Sequence, residues 1–107
     1  MKPAYKAAFL IPCNSKKTLS EDGWIIESPM RLSKSIADTI CKKLKLAFKE
    51  SYENCTIYEG HEIKATVIHD EKGEIEQIYL QLFRKDTETL KEALSNTTPD
   101  EVEIFIP

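Results

Sequence analysis

The chain has 107 residues, 41% of them hydrophobic and 31% charged, with a formal net charge of −3. That length suits a single domain over residues 1–107, and the composition excludes a disordered chain, two separate cores and a general nucleic-acid binder. The charge is unevenly divided, with ten bases against four acids in residues 1–49 and five against fourteen in residues 50–107.

Nothing approaches the roughly 20 apolar residues of a membrane helix, and Ala7 to Ile11 is too short a run for a secretory signal. Cys13, Cys41 and Cys55 are odd in number and widely spaced, which predicts reduced thiols in a cytoplasm rather than a disulfide framework.

Tyr5 to Ile11 is apolar on both faces and reads as an interior strand. Residues 12–22 read as a polar connector, long for a small domain, and Gly23 to Glu27 as a short second strand. Ser28-Pro29 predicts a helix start, because serine supplies a capping oxygen and proline is tolerated at the first helical position. Behind it Leu32, Ile36, Ile40, Leu44 and Phe48 recur every four residues, opposite Arg31, Lys34, Lys42, Lys45 and Lys49. The spacing predicts an amphipathic helix of about five turns.

From Thr56 the apolar period becomes two, in a strand that carries Ile63, Ala65 and Val67 on one face. Asp70 to Gly73 reads as a turn, and Ile78, Leu80 and Leu82 as the same face of the returning strand. Pairing Asp70 with Gly73 sets Ala65 opposite Ile78 and Ile63 opposite Leu80. Asp86 caps a predicted second helix with Leu90, Ala93 and Leu94 inward, ended by Asn96 and Pro99, before a closing strand of Val102, Ile104 and Ile106. Without the short early strand this order is βαββαβ, the ferredoxin-like order. The expected fold is therefore α+β, a two-layer sandwich whose mostly antiparallel sheet of four or five strands has both helices on one face.

Candidate sites follow from the residue types. His61 and His69 lie eight positions apart on one predicted strand, about 26 Å, too far to share an ion, and no Cys-x-x-Cys spacing exists, so no metal is expected. Cys13 follows a strand beside Lys16 and Lys17, but nothing places a histidine base beside it. Gly23, Gly60 and Gly73 are isolated, which excludes the glycine-rich phosphate loops, and no cofactor is implied.

On the helix-free face, Tyr79 and Phe83 have the parity opposite to Ile78, Leu80 and Leu82. They join Phe105, Ile68, Ile75, Gln77 and Gln81 there. The basic-glycine-aromatic pattern of RNA-binding domains is missing from Glu74 to Phe83, and Glu62, Glu101 and Glu103 nearby would repel phosphate. Aromatic anchors ringed by polar groups fit a protein interface instead. Loops, the 12–22 connector or a second copy of the chain are the alternative covers for this face.

These features predict a non-enzymatic protein-binding module. Glu62, Glu74 and Glu76 would steer a basic protein partner, and Tyr79 and Phe83 would anchor it. In size and in the acidity of one half the chain is similar to bacterial immunity proteins, a resemblance that covers no motif. It implies a small cytoplasmic inhibitor of a basic toxin such as a nuclease. The alternatives are a ferredoxin-like small-molecule sensor or regulatory subunit, and a nucleic-acid binder using the basic helix face.

Overall fold

The computed structural model describes residues 5–28, 30–83, 87–94 and 102–107. Its elements are β1 (Lys6–Pro12), β2 (Lys16–Ser20), β3 (Gly23–Glu27), α1 (Lys34–Lys43), β4 (Ala47–Tyr52), β5 (Cys55–Gly60), β6 (Ile63–His69), β7 (Ile75–Leu82), α2 (Thr87–Leu94) and β8 (Val102–Phe105). Six strands form one antiparallel sheet in the order β4-β5-β6-β7-β1-β8, while β2 and β3 pair only with each other. The fold is mostly β, with two short helices, and is not the expected ferredoxin-like α+β sandwich.

Three local events account for that difference. The first is the early end of α1. Ser33, not Ser28, caps its start by accepting a hydrogen bond from the Ile36 N–H at 3.2 Å; the expected first position, Pro29, lies outside the described residues. At the other end Leu46 N–H reaches Cys41 O at 2.8 Å and Lys45 N–H reaches Lys42 O at 3.1 Å, with Lys45 at φ 56°. That is a Schellman stop, normally built on glycine. With lysine there, the signal is invisible in the sequence. The apolar spacing of four continues through the stop, but Phe48 falls on β4 and is 62% exposed.

The second event is a turn at His61-Glu62, with Glu62 at φ 61°, which divides the long predicted strand into β5 and β6. Gly60 matters at that turn: a Cβ there would lie 2.9 Å from Leu46 Cδ2 and 3.0 Å from the Lys45 carbonyl, so a side chain would push the end of α1 off the sheet. The third is the pairing of Lys16–Ser20 with Gly23–Glu27, so half of the predicted connector is strand.

The core lies between the helices and one sheet face. Leu32, Ala37 and Ile40 pack with Ala8, Leu10, Ile63, Ala65, Val67, Ile78, Leu80, Leu82, Leu90 and Val102. The predicted inward face of β6 and β7 is thus correct, while the register is offset by two: Ile63 faces Leu82, Ala65 faces Leu80 and Val67 faces Ile78. An even offset keeps every side chain on its own face. It arises because Asp70 pairs with Glu74 across the Gly73 turn, and a bulge follows as the register shifts between Ile68 and His69. The bulge also turns Ile75, expected on the helix-free face, into the core at 6% exposure. Leu90 is inward as expected; Asp86, Asn96 and Pro99, and the side chains of Ala93 and Leu94, lie outside the described residues.

Candidate functional site

The helix-free face carries a row of side chains that crosses five strands. Register pairs Ile57 with Thr66, Thr66 with Tyr79, Tyr79 with Phe9, and Phe9 with Phe105. Directly paired residues share a face, so three aromatic rings stand side by side on β7, β1 and β8. Their centroids are 5.0 Å apart for Phe9 and Tyr79, and 6.1 Å for Phe9 and Phe105.

The row extends at both ends. Tyr5 and Phe83 stack at 5.7 Å, and the Tyr79 hydroxyl donates to the Tyr5 hydroxyl at 3.4 Å. Partial burial and this hydrogen bond push the Tyr79 pKa up to about 12. At the other end Trp24, from β3, meets Phe105 edge-on at 5.0 Å. Six of the nine aromatic residues therefore form one continuous chain, from Phe83 to Trp24.

The β2–β3 hairpin reaches this end of the sheet through side chains. Ser15 Oγ is 2.7 Å from Ser28 Oγ and tethers its base, while Lys17 Nζ pairs with Glu103 at 2.7 Å and lies 5.5 Å from the Phe105 ring centroid. A part of the 12–22 segment thus covers one end of the face, as one of the alternatives anticipated. Tyr5 and Trp24 remain 48% and 40% exposed, with Leu19 and Ile25 of the hairpin also exposed.

The five residues singled out in the sequence do not form one cluster. Tyr79 is central to the row, and Phe83 is at its edge against Tyr5. Glu62 lies beside Phe83, whose N–H donates to the Glu62 carbonyl at 2.8 Å. Glu74 and Glu76 stand at the far end of β7, with Glu76 about 23 Å from Phe83 at strand spacing. Glu76 belongs with a different set, lining a cavity of about 330 Å³ with Phe9, Trp24, Ile26, Glu27, Ser28, Arg31 and Gln77. Glu101 lies outside the described residues.

Sequence reasoning missed Tyr5, Phe9, Trp24 and Glu27. In β1 both parities are apolar, so nothing local chooses between Phe9 and Leu10 as the inward residue. Trp24 needed the pairing of β2 with β3, which a polar stretch such as Lys16-Lys17-Thr18 conceals.

The opposite face has a crevice of about 510 Å³ between α1 and the β5–β6 sheet, with Leu32, Ala37, Val67, Ile75 and Tyr58 among its lining. Burial foremost, with the Asp38 charge, raises the Cys41 thiol there; burial followed by Cys41 and Asp38 raises the Tyr58 hydroxyl. Both shifts favour the protonated, neutral forms of these groups. His69 lies 3.2 Å from Thr56 Oγ1 and 3.2 Å from the Gly73 carbonyl, one partner at each ring nitrogen. Among the described residues no group of three His, Cys, Asp or Glu side chains is placed to hold a metal ion, and no helix is long and apolar enough to cross a membrane. Comparison with known proteins finds no matching family, no matching curated protein and no matching solved structure.

Proposed function

We propose that the chain is a non-enzymatic protein-binding module that takes a basic protein partner on the aromatic face of its sheet. One observation carries this reading: the unbroken chain of six rings from Phe83 to Trp24, partly exposed and open at its ends through Tyr5 and Trp24, on a face that no helix covers among the described residues. Aromatic rings supply large contact area at little entropic cost and are the usual anchors of protein interfaces. The carboxylates beside the row without an ion-pair partner among the described residues, Glu27 and Glu76, favour a basic protein over a phosphate backbone. The three free cysteines are in keeping with a reducing compartment such as the cytoplasm. An inhibitor that blocks a basic toxin is the specific form of this reading suggested by the chain's size and acidic half.

The test uses the intact chain as bait, with identification of what it retains. A basic protein should be held stoichiometrically. Tyr79→Ala and Phe105→Ala should speed its dissociation, while charge reversal at Lys42 and Lys43 leaves it unchanged. Control of binding by those lysines instead would overturn the reading, because the basic side of α1 would then be the working surface.

A small-molecule sensor is the second reading, favoured by the crevice beside α1, whose volume of about 510 Å³ is that of a ligand pocket. A metabolite that co-purifies with the chain and is lost on Ala37→Trp, with the partner still bound, would favour it.

A further inference from the structure

We infer that the cavity between the β2–β3 hairpin and the sheet is a subsite for a cationic side chain of the partner, an arginine or a lysine. The inference rests on the protein-binding reading above and assigns the contact at one end of it.

Three observations converge on that chemistry. First, the walls are right for a cation. Phe9 and Trp24 contribute aromatic surface, and Glu27 and Glu76 contribute carboxylates, around a space of about 330 Å³. Ring faces attract a cation electrostatically, and the attraction grows where water is partly excluded.

Second, both carboxylates are uncommitted. Among the described residues neither Glu27 nor Glu76 has an ion-pair partner, whereas Glu103, Asp70 and Glu59 all do. Arg31 also reaches the cavity wall, but its charge is committed elsewhere. Its Nε donates to Asp70 Oδ2 at 3.0 Å, and its Nη1 donates to the Ser28 and Met30 carbonyls at 3.2 and 3.3 Å.

Third, the molecule displays the same arrangement already filled, one ring away. Lys17 Nζ lies 5.5 Å from the Phe105 centroid and 2.7 Å from Glu103 Oε2, an ammonium shared between a ring and a carboxylate. Phe105 touches both walls of the cavity, Trp24 at 5.0 Å and Phe9 at 6.1 Å. The filled site and the cavity are thus neighbouring steps of one row, the first taken by the chain's own lysine and the second built for a ligand's cation.

Trp24 is the chain's only tryptophan, so all tryptophan fluorescence comes from a wall of this cavity. Arginine amide, lysine amide and neutral citrulline amide are titrated into the intact protein at constant ionic strength. Arginine amide or lysine amide should give a saturable change, the stronger of the two naming the preferred side chain, and citrulline amide should give none. In Glu27→Gln/Glu76→Gln the affinity should fall about tenfold or more, since two charge-assisted contacts are lost. The melting temperature of that variant should match wild type, because neither carboxylate holds another residue.

An equal response to citrulline amide, an undiminished response in the double variant, or no saturation by about 100 mM, beyond the weakest useful affinity, would each overturn the subsite. The two proposals fail separately. A partner that is lost with Tyr79→Ala but kept by Glu27→Gln/Glu76→Gln leaves the interface standing and removes the subsite. A subsite that binds arginine amide on a chain retaining no basic protein removes the interface reading instead.

Discussion

Asp70 uses both carboxylate oxygens to hold the turn between β6 and β7. Oδ1 accepts the backbone N–H groups of Lys72 and Glu74, each at 2.9 Å, and Oδ2 accepts Arg31 Nε at 3.0 Å. Desolvation alone would raise its pKa, but the Arg31 hydrogen bond and the two backbone donors outweigh it and hold the carboxyl below its ordinary value of 3.8. A depressed folded value means that the turn's contribution is full above that pH and fades as the pH falls through the lower folded value. The stability difference between wild type and Asp70→Ala, followed by denaturant melts, should therefore shrink as the pH drops below about 4. A difference that persists unchanged in acid would show that the ionised carboxylate is not what stabilises the turn. The residue types of this turn were legible in the sequence; its one-residue bulge was not, because it depends on where β6 and β7 settle against the core.

Among the elements, α1 best separates what periodicity can and cannot say. Leu32, Ile36, Ile40, Leu44 and Phe48 are equivalent by spacing, yet Ile40 is 1% exposed and Phe48 is 62% exposed. Ile40→Ala should cost about 2–5 kcal/mol, the range for a large-to-small change in a packed core. Phe48→Ala should stay within about 1 kcal/mol, since it loses only an edge-on contact with Tyr58 at 6.1 Å. Comparable losses for both in denaturant melts would mean that the helix continues past Lys43. The stop is set by Leu46, which follows the Schellman turn and packs back on the core over Gly60, a contact between positions 14 residues apart.

At the scale of the whole molecule, the hairpin stands outside the six-stranded sheet and, among the described residues, shares no strand pairing with it. β2 and β3 pair with each other and reach the sheet through side chains, Trp24 on Phe105 and Lys17 on Glu103. Segments with few buried apolar contacts open at lower free energy than the core. Trp24 fluorescence should accordingly change at a lower denaturant concentration than far-UV circular dichroism, which follows the six-stranded sheet. Coincident transitions would show the hairpin to be one cooperative unit with the sheet. Early opening would fit a site wall that adjusts to an incoming side chain.

By itself the sequence determined the interior character of β1, the inward faces of β6 and β7, the inward Leu32, Ile40 and Leu90, and the exposed side of Tyr79. Each of these is a local alternation or spacing of apolar residues, which survives whatever the strands pair with. Tertiary structure decided the rest. It ended α1 at a lysine, made strands of residues 16–20 and 47–52, and set the bulge that buries Ile75. It also brought Trp24, Phe9 and Phe105 together from three separate strands, β3, β1 and β8. A row that crosses a sheet is perpendicular to the chain, so its members are distant in sequence and only strand pairing makes them neighbours.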